Sequence, residues 1–199
     1  KFSNRGYFNY ILGGGTSQSN GYLIHRGDGS NFGLFQTRVP SGTFTDYSSN
    51  RFRDPSAWYH ICLQNTAGGQ LTLFVNNQQV GQQTPSFGTP SAITIGNNLT
   101  TGVDDDFSGG YMAAVYFIDG TVKSPTDFGR YNEDGVWVPQ DYTGSYGTNG
   151  FKLTFDSSQT NGIGHDSSGN NKHFTASGFD TGDVALYSKD LSAQGGFLS

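Results

Sequence analysis

Chemistry in this chain would have to come from its carboxylates, four histidines or single cysteine, and their spacing decides which reactions are open. Asp104, Asp105 and Asp106 stand side by side, the densest acidic cluster in the sequence. A hard cation such as Ca2+ takes carboxylate and carbonyl oxygens, so these three are candidate calcium ligands, although the EF-hand spacing is absent; the alternative is a solvated acidic turn. A retaining glycosidase needs two carboxyl groups about 5 Å apart. Glu133 is the sole glutamate, and no Asp-x-Asp or Asp-x-x-x-Asp lies on an expected strand. His25, His60, His165 and His173 have no nucleophile elbow near them, which argues against Ser/His/Asp catalysis. Cys62 is the only cysteine, which excludes an internal disulfide and a Cys-based zinc site. The expectation is a protein that binds rather than catalyses.

Binding candidates lie in the loops. Tyr142 and Tyr146, in the irregular stretch 141–150, could stack on sugar rings, with Asn97 and Asn98 as polar companions. Tyr131 and Trp137 are further aromatics beside loops, but the apolar run GVWVP around Trp137 favours packing under a loop. In DSSGNN, residues 166–171, Asp166 can accept amide hydrogen bonds two residues on, and Gly169 can take positive φ. Asp166, Gly169 and Asn170 are therefore read as a structural turn, with a sugar-binding polar rim as the alternative. Arg26–Gly27–Asp28 reads as a simple glycine turn.

The elements that must hold these loops are strands. Glycine makes up 30 of 199 residues, aromatics are abundant and glutamate is nearly absent, a mixture that suits turns and strands and opposes helices. Residues 58–80, WYHICLQNTAGGQLTLFVNNQQV, alternate with period two and carry turns at 66–69 and at Asn76–Asn77. Further strands are expected at 7–12, 22–25, 34–39, 43–47, 92–95 and 151–155. The run YMAAVYFI, 111–118, is apolar on both faces and is expected to be a central, covered strand. One short helix is expected over 124–131, where Ser124 caps, Pro125 takes the first position and Asp127 lies in the first turn. Such a succession of short strands indicates an all-β antiparallel sandwich of jelly-roll type over 1–177, followed by an extended polar C-terminal arm over 178–199. The net charge of −5 argues against nucleic acid, and no apolar run approaches the length needed to cross a membrane.

The succession RFRDPSAWYHICLQ, LTLFVNNQQV, FSGGYMAAVYFIDG, SPTDFG, GVWVP, YGTNGFKLTF and DSSGNNKHFT, over 51–175, resembles one family. It is similar to the concanavalin A-like, laminin-G-like jelly-roll domains of structural proteins from marine tailed bacteriophages, including cyanobacteriophages. Two features depart from that pattern: residues 1–50 lack tryptophan, and the hairpin turns on Asn76–Asn77 in place of Asn-Gly. The resemblance implies a virion protein on the particle surface, as capsid decoration, appendage or tail-fibre domain. It also implies other virion proteins as partners and, by analogy with fibres, a homotrimer. The alternative it implies is a lectin-like adhesin for host surface glycans, with Ca2+ fixing the sugar-binding loops.

Overall fold

The computed structural model describes residues 9–14, 22–26, 33–38, 44–46, 50–66, 69–84, 92–96, 110–177 and 179. The protein is an all-β sandwich built from antiparallel sheets, and its only helical elements among the described residues are 3-10 turns. The chain divides into two compact units, Lys1–Tyr111 and Met112–Ser199.

In the first unit, β1 (Asn9–Gly14), β2 (Tyr22–Arg26), β3 (Phe35–Arg38) and β4 (Phe44–Asp46) pair in sequence order. A further strand, β8 (Ile93–Ile95), pairs with the other side of β1, giving a five-stranded sheet ordered β4-β3-β2-β1-β8. Between them in sequence, β5 (Ile61–Thr66), β6 (Gln70–Val75) and β7 (Gln78–Gln83) form a three-stranded meander. Alternation sets the faces: Leu71, Leu73 and Val75 are buried at 0–2% exposure and meet Phe35 of the larger sheet in the core. Ile11, Leu12, Ile61, Leu63 and Val80 pack around that cluster, so side chains from both sheets supply one apolar layer.

The meander matches its sequence expectation closely. Asn76 and Asn77 both adopt left-handed conformations, φ 48° and 66°, as a two-residue hairpin loop matched to strand twist requires. Asn76 also ties the turn to the preceding strand: its Oδ1 accepts from the His60 amide at 2.8 Å, and its own amide donates to the His60 carbonyl. The corner ahead of β5, charged by composition, is anchored by an apolar residue. Phe52 sits 5.3 Å from Phe35 and 5.5 Å from Tyr59 between ring centroids, and its amide donates to the Gly33 carbonyl at 2.7 Å. Cys62, on β5, is partly buried.

Among the described residues, the second unit contains two small ladders. β9 (Val115–Phe117) pairs with β12 (Phe151–Leu153), and β10 (Gly129–Tyr131) with β11 (Trp137–Pro139). Two expectations are corrected here. The strand within 111–118 covers only Val115–Phe117, pairs with β12 alone among the described residues, and begins beyond a Tyr111 that is 55% exposed. The helix expected over 124–131 is a single 3-10 turn, Pro125–Asp127. Its capping box is present: the Ser124 hydroxyl accepts from the Thr126 amide, and Asp127 accepts from the Ser124 amide at 2.8 Å. The helix stops because the next residues have stronger non-local partners. Phe128 is buried between Tyr116 and Tyr142, and Gly129 enters β10 with Trp137 laid over it. A Cβ at Gly129 would fall 2.5 Å from the indole ring, so only glycine admits that contact. The arm expected at 178–199 lies outside the described residues apart from Phe179.

Candidate functional site

β12 organises the second unit. Phe151 and Leu153 point inward at 2% and 1% exposure, with Phe151 stacked on Phe117 at 5.4 Å and meeting the edge of Phe174 at 4.8 Å. Lys152, between them, points the other way. Its ammonium lies 3.0 Å from Asp141 Oδ1 and 5.4 Å from the ring of its cross-strand neighbour Tyr116. The Tyr116 hydroxyl donates to the same carboxylate oxygen at 3.3 Å. The Lys152 hydrogen bond holds the Asp141 carboxyl below its ordinary range, against a smaller opposing effect of burial. Burial, followed by the Asp141 charge, pushes the Tyr116 phenol above its ordinary range. Asp141 is largely exposed, so this ion pair adds little stability.

The more consequential carboxylate is Asp166, which is 3% exposed. Its Oδ1 accepts from the amides of Lys152 and Ser168, both at 2.9 Å. Its Oδ2 accepts from the Ser168 hydroxyl and the Lys172 amide, again at 2.9 Å. Burial opposes its charge, but these four donors outweigh burial and hold the carboxyl below its ordinary range. The Ser167 amide donates to the Lys152 carbonyl at 2.8 Å, so the turn occupies both polar groups of Lys152 on one edge of β12. Gly169, at φ 93°, and Asn171, at φ 56°, supply the left-handed residues. Asn170 Nδ2 donates to the carbonyls of Gly147 and Gly150 at 2.7 and 2.8 Å, binding the turn to the loop before β12. Asp166 and Asn170, with Gly169 at positive φ between them, thus tie the turn to β12 and to the loop before it.

The aromatic candidates separate. Tyr142 is 7% exposed, lies 5.0 Å from Phe128 and 5.3 Å from Tyr146, and donates its hydroxyl to the Ser145 carbonyl at 2.9 Å. A ring enclosed in this way has no face for a sugar, so Tyr142 is corrected to a core residue. Tyr146 is partly buried and supports the same loop, its carbonyl accepting from the Asp119 amide at 2.9 Å. Burial, then the Asp141 charge, raises its phenol above the ordinary range. The β10–β11 ribbon does present an exposed aromatic. Tyr131 is 46% and Val136 54% exposed, and Tyr131 meets Trp137 edge-on at 5.0 Å. The ribbon's turn is fixed by Asn132, whose Oδ1 accepts from the amides of Asp134 and Val136. Glu133 lies exposed on that turn.

Asn97, Asn98, Asp104, Asp105 and Asp106 lie outside the described residues. His60 is partly buried, which lowers its basicity, and its backbone serves the meander. Sequence reasoning passed over a second histidine arrangement: the rings of His165 and His173 lie 4.9 Å apart, flanking the Asp166 turn. Their positions in HDSSGNNKH, either side of a turn that reverses the chain, were the available signal.

The family model for the concanavalin A-like lectin/glucanases superfamily, of laminin-G type, matches residues 1–125. The chain belongs to this superfamily. The matched segment takes in the stretch 1–50, which lacks tryptophan, and the Asp166 clamp falls beyond it. Neither a curated protein nor a solved structure matches the chain.

The clamp has a pH signature. Because the folded carboxyl of Asp166 titrates below its ordinary range, its contribution is full above about pH 4 and is lost as pH falls through the lower folded value. Asp166→Asn is expected to cost about 2–3 kcal/mol at neutral pH, because an amide cannot accept from all four donors. Urea unfolding should show that difference shrinking as pH falls below about 4 and the wild-type carboxyl takes up its proton; an unchanged gap would contradict it.

Proposed function

We propose that this chain is a non-catalytic structural domain of a bacteriophage particle, displayed on its surface as capsid decoration, appendage or tail-fibre module. The observation that carries this reading is how its carboxylates are used. Asp54, Asp119, Asp127, Asp156 and Asp166 each accept hydrogen bonds from nearby amides, hydroxyls or side-chain amides. These groups hold loops in place. The sole glutamate, Glu133, stands exposed on a hairpin turn, away from any strand interior. The superfamily includes glucanases, whose chemistry rests on a carboxylate pair, and these five described aspartates are given over to loop hydrogen bonds. The succession of motifs over 51–175 supports the phage assignment, with other virion proteins and further copies of this chain, in a trimer, as partners. Gold-labelled antibody against the protein, imaged on intact particles, is expected to decorate a fixed surface position. Particles that carry no label, alongside abundant free protein in the lysate, would overturn the assignment.

The second reading is a lectin-like adhesin for host glycans, and one observation favours it. The exposed Tyr131 ring, braced edge-on by Trp137 and flanked by Arg130, Glu133 and Asp134, offers an apolar face with polar groups beside it. A rigid aromatic presents contact area at small entropy cost. On this reading a glycan array shows saccharide hits that Tyr131→Ala weakens about tenfold or more, in line with loss of a buried aromatic anchor. Loss of the hits in EDTA would bring in Ca2+ and the Asp104–Asp106 loop; no hits in either condition would leave the structural role alone.

A further inference from the structure

Of the two histidines flanking the clamp, His173 is bound to it in a way that protonation disturbs, and His165 packs against the His173 ring. The Asp166 amide donates to His173 Nδ1 at 3.1 Å, so that nitrogen must present a lone pair and the ring's proton sits on Nε2. His165 Nδ1 is buried and has no hydrogen-bond partner. The two rings lie 4.9 Å apart at 33°. A proton added to His173 Nδ1 would place two N–H groups against each other where one donor and one acceptor now meet. A charge on both rings would add like-charge repulsion at short range. His173 is exposed at the surface, so a proton can reach it without any opening of the fold.

The surrounding charges set the balance. The Asp166 carboxylate attracts an imidazolium, but its four acceptor positions are already filled by Lys152, Ser168 and Lys172. Lys172, next to His173, repels one. From β12, the Lys152 ammonium is engaged with Asp141, and from the preceding loop the Tyr146 phenol is neutral. What the turn covers gives the arrangement its consequence. The Asp166 carboxylate and the Ser167 amide take the Lys152 amide and carbonyl, which an added strand would otherwise use.

We propose that His165 and His173 make the Asp166–Asn171 turn an acid-released latch over the edge of β12. With His173 Nδ1 free of a proton the turn is held closed; a proton taken up there on acidification breaks the His173–Asp166 bond, and the edge amides open more often.

Hydrogen exchange of the intact chain, corrected for the intrinsic pH dependence, reads this directly at the amides of Lys152, Asp166, Ser168 and Lys172. The expected result is roughly tenfold faster opening at about pH 5 than at about pH 7.5 in wild type, with the Phe151 and Leu153 amides unaffected. His173→Asn keeps an acceptor at the Nδ1 position without a titrating group, and is expected to abolish the pH dependence. Should that variant fail to fold, an NMR titration of wild type decides: the Asp166 amide must shift with the same midpoint as the His173 ring. An Asp166 amide that does not follow His173, or a His173→Asn protein with wild-type pH dependence, would overturn the proposal.

Discussion

The second unit depends on one buried carboxylate. Its strands are three residues long, too short for ladder hydrogen bonds to fix their surroundings, and the segments between them are irregular. Asp166 resolves this by gathering four donors from β12, from its own turn and from the segment beyond it. A buried charge is costly unless hydrogen bonded, and here every bond that offsets the cost also positions backbone. Asn170 extends the same set of contacts to the carbonyls of the loop at 147–150. Gly150 belongs there for a steric reason: a Cβ would collide with the Tyr146 and Phe117 carbonyls.

The first unit is held by the opposite means. Its core is an apolar layer between a five-stranded sheet and a three-stranded meander, and alternation along β6 is enough to specify which residues fill it. The two units thus show two ways of making a β-protein: area burial where strands are long, carboxylate clamps where they are short. Among the described residues, Asp54, Asp119, Asp127, Asp156 and Asp166 all hold loops in fixed shapes.

Legibility in the sequence followed the range of the interactions. The meander could be read because period two, Gly69 and the Asn76–Asn77 turn are local signals. The DSSGNN turn could be read for the same reason, although its grip on Lys152 could not. The segment at 124–131 misled because Ser124, Pro125 and Asp127 cap a 3-10 turn as well as an α-helix. What ends it is the approach of Trp137 to Gly129, which no neighbouring residue announces. Tyr142 misled likewise: a tyrosine in a polar loop reads as exposed until Phe128 and Tyr146 enclose it. Phe52 was hidden among charged neighbours, and the His165–His173 contact exists only once the turn between them has closed.

The central claim, that Asp166 and its turn act as one clamp on the β12 region, is tested most directly by a double-mutant cycle between Asp166→Ala and Asn170→Ala, read by urea unfolding at neutral pH. Residues that act through a shared network are expected to be non-additive, with a coupling energy of about 1 kcal/mol or more. Additivity within about 0.3 kcal/mol would mean that the two side chains act independently, and would contradict the account.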